Sequence, residues 1–508
     1  MRVPLSHQPN YLLFCKGPPF AEKPSEDWQM IYRHMPDPTG LGKVTAFPLE
    51  NEKTLNFFLR DCYAPLYEKC MELWKPDGNR NICPIILLGT PGIGKTFFIY
   101  YVLSQEKKKE NRVYYQMTKN HLFLFDLNAT NTVTEIFGRN VTSFLDQEYE
   151  GDTLFVIDAY RMSEAPYRKD NRVILITSPN KDTWYKFSKA SLAKRLFMPL
   201  WTREEIADYN QEMGLGLSRD HLMDAWEKIG GTVRRLTETP LEPPPYEHSA
   251  GSLLMFLNRG IETNREESDV CHRLIHISVP TDENGNHMFQ KFDFIFASDA
   301  IQMGMEGKLQ NTKLNDLSLI FDLCSSGYSD HTMSGVVFEH VMHRVFERGG
   351  VFECRSLNAG SEEMMKIHLK KTGPAIVFQN EGDVLSPSFR NKYCVPRHHT
   401  FPAIDGVYHD YDATSGEEAG QVFLFQMTIR KDHPIKGMRE ALKYVRTYKH
   451  RVSASVVKGC SLIFVVPGSL KDHWTKRQKF GEGEEIKTLC SIPQYVMFVR
   501  KDVCNDGE

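Results

Sequence analysis

The sequence predicts an α/β protein of more than one domain, and three features predict it. The chain has 508 residues, too many for one hydrophobic core, so roughly two to four domains are expected. Between residues 84 and 205, short apolar runs (84–88, 121–127, 153–157 and 172–176) alternate with helical patterns. Strands alternating with helices predict a parallel sheet covered by helices on both faces. A second alternation begins near Ser334. It predicts a helix over 335–348, ended by Gly349-Gly350, and strands over 375–378, 404–408, 422–427 and 461–466.

Along the chain these elements suggest four segments. Residues 1–54 are rich in Pro and aromatic side chains, show little periodicity, and read as an irregular leader. Residues 55–245 carry the first α/β pattern. Within them Leu55, Phe58, Leu59, Cys62, Leu66, Met71 and Trp74 recur at helical spacing and predict one helix over 55–74, broken by Lys75-Pro76-Asp77-Gly78-Asn79. The clearest linker is Pro240-Leu241-Glu242-Pro243-Pro244-Pro245. Residues 246–330 read as a mostly helical connection, and 331–508 as the second α/β domain.

Composition narrows the class. Hydrophobic residues make up 41% and charged residues 25%, ordinary for a soluble globular chain. The net charge of −3 excludes a polycation built only to coat nucleic acid. Eleven cysteines without a C-x-x-C pair predict free thiols rather than a disulfide framework or zinc finger. No apolar run reaches the roughly 20 residues of a membrane span, and the first residues lack the apolar core of an ordinary signal peptide.

The most specific motif is Gly89-Thr90-Pro91-Gly92-Ile93-Gly94-Lys95-Thr96, which fits G-x-x-x-x-G-K-[ST] at every fixed position. An apolar strand precedes it and Phe97–Leu103 opens a helix after it, the context the motif requires. Glycines let backbone N–H groups close around phosphate oxygens, the helix N-terminus adds its dipole, Lys95 reaches the β/γ-phosphates and Thr96 ligates Mg²⁺. The expected cofactors are ATP or GTP with Mg²⁺; no base-reading motif separates the two. Asp158, ending the run Thr153-Leu154-Phe155-Val156-Ile157, is the acid expected on the Mg²⁺ side. Ala159 follows where a second acid would polarise water, which predicts slow hydrolysis or an acid from elsewhere. Thr177 or Ser178 is a candidate γ-phosphate sensor. Arg234, after Gly230-Gly231, is a candidate phosphate contact. Arg195 and Arg203 are candidate donors to a neighbouring copy, should the protein be a homo-oligomer.

A second constellation lies downstream. Asp405 ends or sits within a strand, and Gln426 ends another. Glu339 and His343 lie four apart, on one helical face. Asp405, Gln426 and Glu339 offer oxygens of the kind that hold Mg²⁺ beside a phosphodiester, and Lys431 follows to orient a water. From Arg430 to Phe480 there are 13 Lys/Arg against 3 Asp/Glu, interleaved with Tyr444, Tyr448, Trp474 and Phe480. Basic groups with stackable rings suit a nucleic-acid backbone, with Lys443, Arg446 and Arg451 as phosphate contacts.

The order of these motifs resembles the Crinkler effectors of oomycetes and fungi and the related retrotransposon hot spot (RHS) proteins of trypanosomes. The residues that carry the resemblance are Gly89–Thr96, Asp158, Arg172–Pro179, Met198-Pro199-Leu200-Trp201-Thr202-Arg203-Glu204-Glu205, Gly230–Arg235, Phe338-Glu339 with His343, and Phe425-Gln426-Met427-Thr428 with His433-Pro434-Ile435. It spans about residues 55–500. It implies a P-loop NTPase of the AAA/STAND type, with a helical subdomain, joined to a restriction-endonuclease-like domain. The implied partner is nucleic acid, DNA ahead of RNA. The implied place is the nucleus, a host cell's if the chain is secreted, with the cytoplasm as alternative. Two departures stand out. The translocation header with its Leu-Phe-Leu-Ala-Lys-like motif is absent from residues 1–60, and Thr428 sits where a restriction-like nuclease carries lysine.

Overall fold

The computed structural model describes residues 20–24, 29, 31, 35, 44–48, 54–75, 82–109, 111–118, 121–126, 132–138, 153–158, 172–179, 184–185, 187–189, 192–234, 236, 273–311, 332–358, 363–380, 383–397, 401, 403–411, 421–445, 459–480, 489 and 491–499. Ala159, Arg235, the Pro-rich segment 240–245, Arg446, Tyr448 and Arg451 lie outside the described residues. Two compact units emerge: Met1–Glu247 with Arg259–Gln302, and His248–Asn258 with Met303–Glu508. Among the described residues no helix is long and apolar enough to cross a membrane.

The first unit is built on β1 (Phe20–Pro24), β2 (Val44–Pro48), β3 (Thr54–Phe58), β4 (Ile85–Leu88), β5 (Arg112–Thr118), β6 (His121–Asp126), β7 (Thr132–Gly138), β8 (Thr153–Asp158), β9 (Arg172–Ile176), β10 (Lys194–Phe197), β11 (Ile275–Ser278) and β12 (Asp293–Phe296). Its helices are α1 (Tyr63–Leu73), α2 (Phe98–Lys108), α3 (Arg203–Glu212) and α4 (Arg219–Ile229). The main sheet runs β1-β7-β6-β5-β8-β9-β4-β10. From β5 to β10 every pairing is parallel, and β4 and β9 are wholly buried, as a sheet covered on both faces requires.

Several expectations change. The sheet is mixed, because β6, β7 and β1 join antiparallel. Part of the expected leader is strand: β1 is a sheet member, and β2 pairs with β3. The single helix expected over 55–74 is a strand, a turn and a helix that starts at Tyr63. Packing overrides the helical period there. Phe58 stacks on Trp201 at 5.5 Å and meets Tyr209 edge-on at 5.3 Å. The connection 246–330 contributes the antiparallel hairpin β11–β12, which lies in the first unit.

A buried ion pair ties the helical layer to the sheet. Arg172 on β9 donates through Nη1 and Nη2 to both oxygens of Glu106 on α2, at 3.2 and 3.0 Å. Asn111 donates to the same carboxylate at 2.7 Å, and so does the Tyr67 hydroxyl. The Glu106 side chain is 0% exposed. Arg172→Met is expected to destabilise the unit by about 3–5 kcal/mol, because it strands a buried carboxylate. Denaturant unfolding measures this, and the double change Arg172→Met/Glu106→Leu should recover most of the loss.

The second unit carries β13 (Gly350–Ser356), β14 (Met364–Leu369), β15 (Ile376–Phe378), β16 (Tyr393–Pro396), β17 (Gly406–Asp410), β18 (Gln421–Met427), β19 (Cys460–Pro467) and β20 (Gln494–Val499). Their order is β14-β13-β20-β19-β18-β17-β16-β15. The pairs β18–β19 and β19–β20 are parallel and β17–β18 antiparallel. All eight residues of β19 are buried. With α5 (Asp299–Asn311) bridging the sequence of the two units, α6 (Thr332–Arg348) starts the second and ends at Gly349, whose φ of 74° suits only glycine comfortably. Phe346 of α6 packs on Phe425 of β18 at 4.8 Å. A further helix of this unit, α7 (Met438–Val445), follows the Gln426 strand.

Candidate functional site

The phosphate loop leaves β4 and enters α2. Gly89, Gly92 and Gly94 have φ of 156°, 87° and 97°, values that a side chain would strain. Space forbids one as well. A methyl group on Gly92 would come within 2.8 Å of Cβ of Arg234, and one on Gly94 within 2.8 Å of the Tyr63 hydroxyl. Arg234 therefore lies against the loop, and the neighbouring Val233 N–H donates to Gly92 O at 3.3 Å. Lys95 Nζ donates to the carbonyls of Gly89 and Thr90 at 2.8 and 2.9 Å. Burial pushes its ammonium down to about 7, and the Arg234 charge adds to this against the pull of Asp158.

Thr96 Oγ1 donates to Asp158 Oδ2 at 2.9 Å. Burial pushes the Asp158 carboxyl up, while Thr96 and Lys95 hold it down. A hydroxyl and a carboxylate side by side are hard oxygen ligands of the kind Mg²⁺ takes, so these two residues fit that ion. Strand order places β9 between β4 and β8. Thr177, at the end of β9, is buried and donates its N–H to Leu87 O at 3.0 Å, next to the loop strand; Ser178 follows half-buried. Arg195 lies over Trp184 at 5.8 Å and Arg203 over Trp226 at 5.0 Å.

Three contributors to this site escaped sequence reading. Arg60 and Tyr63 touch the loop carbonyls of Ile93 and Gly94. The Ile277 N–H of β11 donates to Thr90 Oγ1 at 3.0 Å. Only Asn284-Gly285, a hairpin-turn dipeptide, signalled that a hairpin stood there. A separate cavity of about 400 Å³, lined by residues of α1 and by His287–Lys291, includes none of the predicted site residues.

In the second unit Asp405 precedes β17, and Ala403 before it holds a strained φ of 65°. Asp405 Oδ2 accepts from Gln426 Nε2 at 2.7 Å and from Met427 N–H at 2.6 Å. Burial first, and the charge of Glu339 next, push its carboxyl well above the usual range. Asp405 and Gln426 therefore meet, and the charge of Glu339 acts on Asp405. His343 joins them through Glu339 at 3.3 Å and the Tyr393 hydroxyl at 2.7 Å. Two carboxylates whose charges oppose one another are eased by a cation. Gln426 presents its amide nitrogen to Asp405, so it needs an amide turn to offer its oxygen. Among the described residues no group of three or more His, Cys, Asp or Glu is placed to hold a metal ion.

Lys431 is exposed in the bend after β18. One expectation for this region is corrected. Trp474 and Phe480 belong to the core: Trp474 is 0% exposed, packs on Phe464 at 4.9 Å and donates Nε1–H to Arg430 O at 2.9 Å. Neither ring is free to stack on a base. Thr428 is buried, its N–H donating to Val465 O at 3.0 Å and its Oγ1 accepting from Arg430 N–H at 3.2 Å. The segment His433-Pro434-Ile435 is fastened to Gln478 and Lys479 through backbone N–H groups at 2.9 Å.

No protein-family model matches the chain. Among curated proteins, Crinkler effector protein 15 of Phytophthora infestans is 26% identical over 382 residues, covering 69% of this chain and 55% of the relative. Crinkler effector protein 16 of the same organism gives 26% over 383 residues with the same coverage. The chain thus spans about half the length of the curated relatives it matches, 55%. Among solved structures, AMPPCP-bound DnaA from Aquifex aeolicus aligns with 57% of this chain and 80% of its own at 13% identity and a TM-score of 0.23. A DNA replication initiation factor aligns with 57% of this chain and 79% of its own at 14% identity and a TM-score of 0.24. At such scores neither structural likeness carries an argument. Sequence does: over 69% of its length the chain is a distant homologue of the Crinkler effector proteins.

Proposed function

We propose that the chain is an ATP-dependent effector-type protein whose first unit is a P-loop NTPase. Its second unit, restriction-endonuclease-like and shared in plan with the retrotransposon hot spot proteins, binds DNA and cleaves it with a divalent metal. The observation that carries the reading is the preformed phosphate loop, with Lys95 inside it and Thr96 bonded to Asp158 at 2.9 Å. Gly92, Ile93 and Gly94 would supply backbone N–H donors, Lys95 and Arg234 would supply positive charge, and Thr96 with Asp158 would hold Mg²⁺. Asp405, Gln426 and Glu339 would hold the second metal, which lends Lewis acidity at a phosphodiester. Lys431 would orient the attacking water, and the basic stretch after Arg430 would face the DNA backbone. The place of action in this reading is the nucleus, and a homo-oligomer is the working assembly.

The test is a plasmid-nicking assay on the wild type, with and without ATP and Mg²⁺, beside calorimetric titration with a non-hydrolysable ATP analogue. Analogue binding with Mg²⁺-dependent nicking supports the whole reading. Absence of analogue binding removes its first half.

A second reading is a nucleotide-switched protein that holds DNA or a partner without cutting. The burial of Thr428 at the lysine position and the exposure of Lys431 favour it. It predicts salt-sensitive DNA retention with no nicked product.

The nucleotide reading also has a pH signature. The Lys95 ammonium, pushed down to about 7 in the empty site, must be charged to meet phosphate. Affinity for the analogue is therefore expected to fall as pH rises from 7 to 9, by up to about tenfold per unit. Proton uptake on binding, read in buffers of different ionisation enthalpy, checks this. A flat profile would show an ammonium charged throughout.

A further inference from the structure

Phosphate loops work only when their N–H groups face inward, so the intervening carbonyls must be turned away and held there. Here that task falls to side chains outside the motif. Arg60 Nη1 and Trp201 Nε1 both donate to Ile93 O, at 2.9 and 3.0 Å. The Tyr63 hydroxyl donates to Gly94 O at 2.9 Å. Arg60 is 1% exposed, and all five donors of its guanidinium are used. Nη1 also reaches Pro199 O at 3.0 Å. Nη2 reaches Leu200 O at 2.9 Å, and Nε with Nη2 grips both oxygens of Glu205 at 2.9 Å. Its guanidinium lies 4.5 Å from the centre of the Trp201 ring.

We propose that Arg60, Tyr63 and Trp201 form a carbonyl clamp that holds the phosphate loop in its anion-binding shape before nucleotide arrives. The clamp rests on the nucleotide reading above and deepens it. Its residues do not touch phosphate; they are positioning residues. Arg60 also links the loop to the start of α3. There Glu205 accepts its charge and Thr202 caps the helix, Oγ1 accepting from Glu205 N–H at 3.1 Å. A buried, fully satisfied bidentate pair is rigid, so the loop is anchored at once to the turn before α1 and to the segment after β10.

The test reads two quantities on the full chain. Tyr63→Phe removes one hydroxyl and nothing else. It is expected to weaken binding of the ATP analogue about 3- to 10-fold and to speed hydrogen exchange of the amides of residues 92–96 in the empty protein by a similar factor. Arg60→Lys keeps the charge but loses the fork, and should weaken binding further, with a lower melting temperature. Val113→Ala, a cavity in β5 three strands from β4, serves as the stability control. If Tyr63→Phe leaves both affinity and exchange unchanged, the clamp is wrong. Equal effects from Val113→Ala would overturn it too, by showing general loosening. Should the wild type bind no nucleotide, the function proposed above fails, while the exchange measurement still decides the clamp.

Discussion

Lys95→Ala is expected to abolish measurable nucleotide binding, weakening affinity for the ATP analogue by about 10²–10³-fold. The estimate follows from losing one or two charge-assisted hydrogen bonds to phosphate, each about 1.5–3 kcal/mol. The fold should survive the change. Lys95 now satisfies only the carbonyls of Gly89 and Thr90, and the half-buried position lets water take its place. The empty variant should melt no lower than the wild type, because burial already opposes the Lys95 charge. Calorimetric titration and thermal melting of the same samples separate the two effects. Wild-type affinity in Lys95→Ala would remove the phosphate-loop assignment.

Asp405→Asn is expected to lower Mg²⁺-dependent nicking by about 10³-fold or more, the scale of several kcal/mol lost at a metal-stabilised transition state. Its effect on stability has the opposite sign. The asparagine oxygen can still accept from Gln426 Nε2 and Met427 N–H, but it carries no charge to oppose Glu339. The wild-type carboxyl is pushed well above its ordinary value. From about pH 4 upward the unfolded chain has therefore released a proton that the folded one retains, and wild-type stability falls as pH rises. Asparagine does not titrate. The melting-temperature advantage of Asp405→Asn should accordingly widen with pH until Asp405 ionises in the folded protein. A variant that loses nicking and gains stability identifies a functional site. Loss of both would point to a structural role, and unchanged nicking would remove Asp405 from the cutting machinery.

Local rules were strong where they agreed with packing. The loop strand, Asp158 at the end of β8, and Gln426 near the end of β18 were all legible, because fully buried parallel strands appear as continuous apolar runs. Legibility failed where a long-range contact decides. Leu55 to Leu59 fits period 2 as well as period 3.6, and only aromatic partners from residues 201 and 209 choose the strand. The role of Arg60 is not legible, since nothing nearby in sequence announces Glu205, 145 positions away. Trp474 misled in the same way. An aromatic among lysines resembles a stacking platform until its ring is found inside the core. In the second site, the strand ends that carry Asp405 and Gln426 are legible, but the exposure of Lys431 depends on a bend whose direction no spacing rule supplies.

The hairpin β11–β12 changes what counts as the end of the part that carries the phosphate loop. By composition the Pro-rich run ending at Pro245 is the natural place to divide the chain. Yet residues beyond it finish what lies before it. Phe289 O receives the N–H of Phe197, and Ile277 N–H reaches Thr90 within the loop itself. A fragment ending at Pro245 would leave the Phe197 N–H, on a residue 2% exposed, without that acceptor, at about 1–3 kcal/mol. The smallest self-sufficient piece that carries the phosphate loop therefore has to extend past β12, which ends at Phe296.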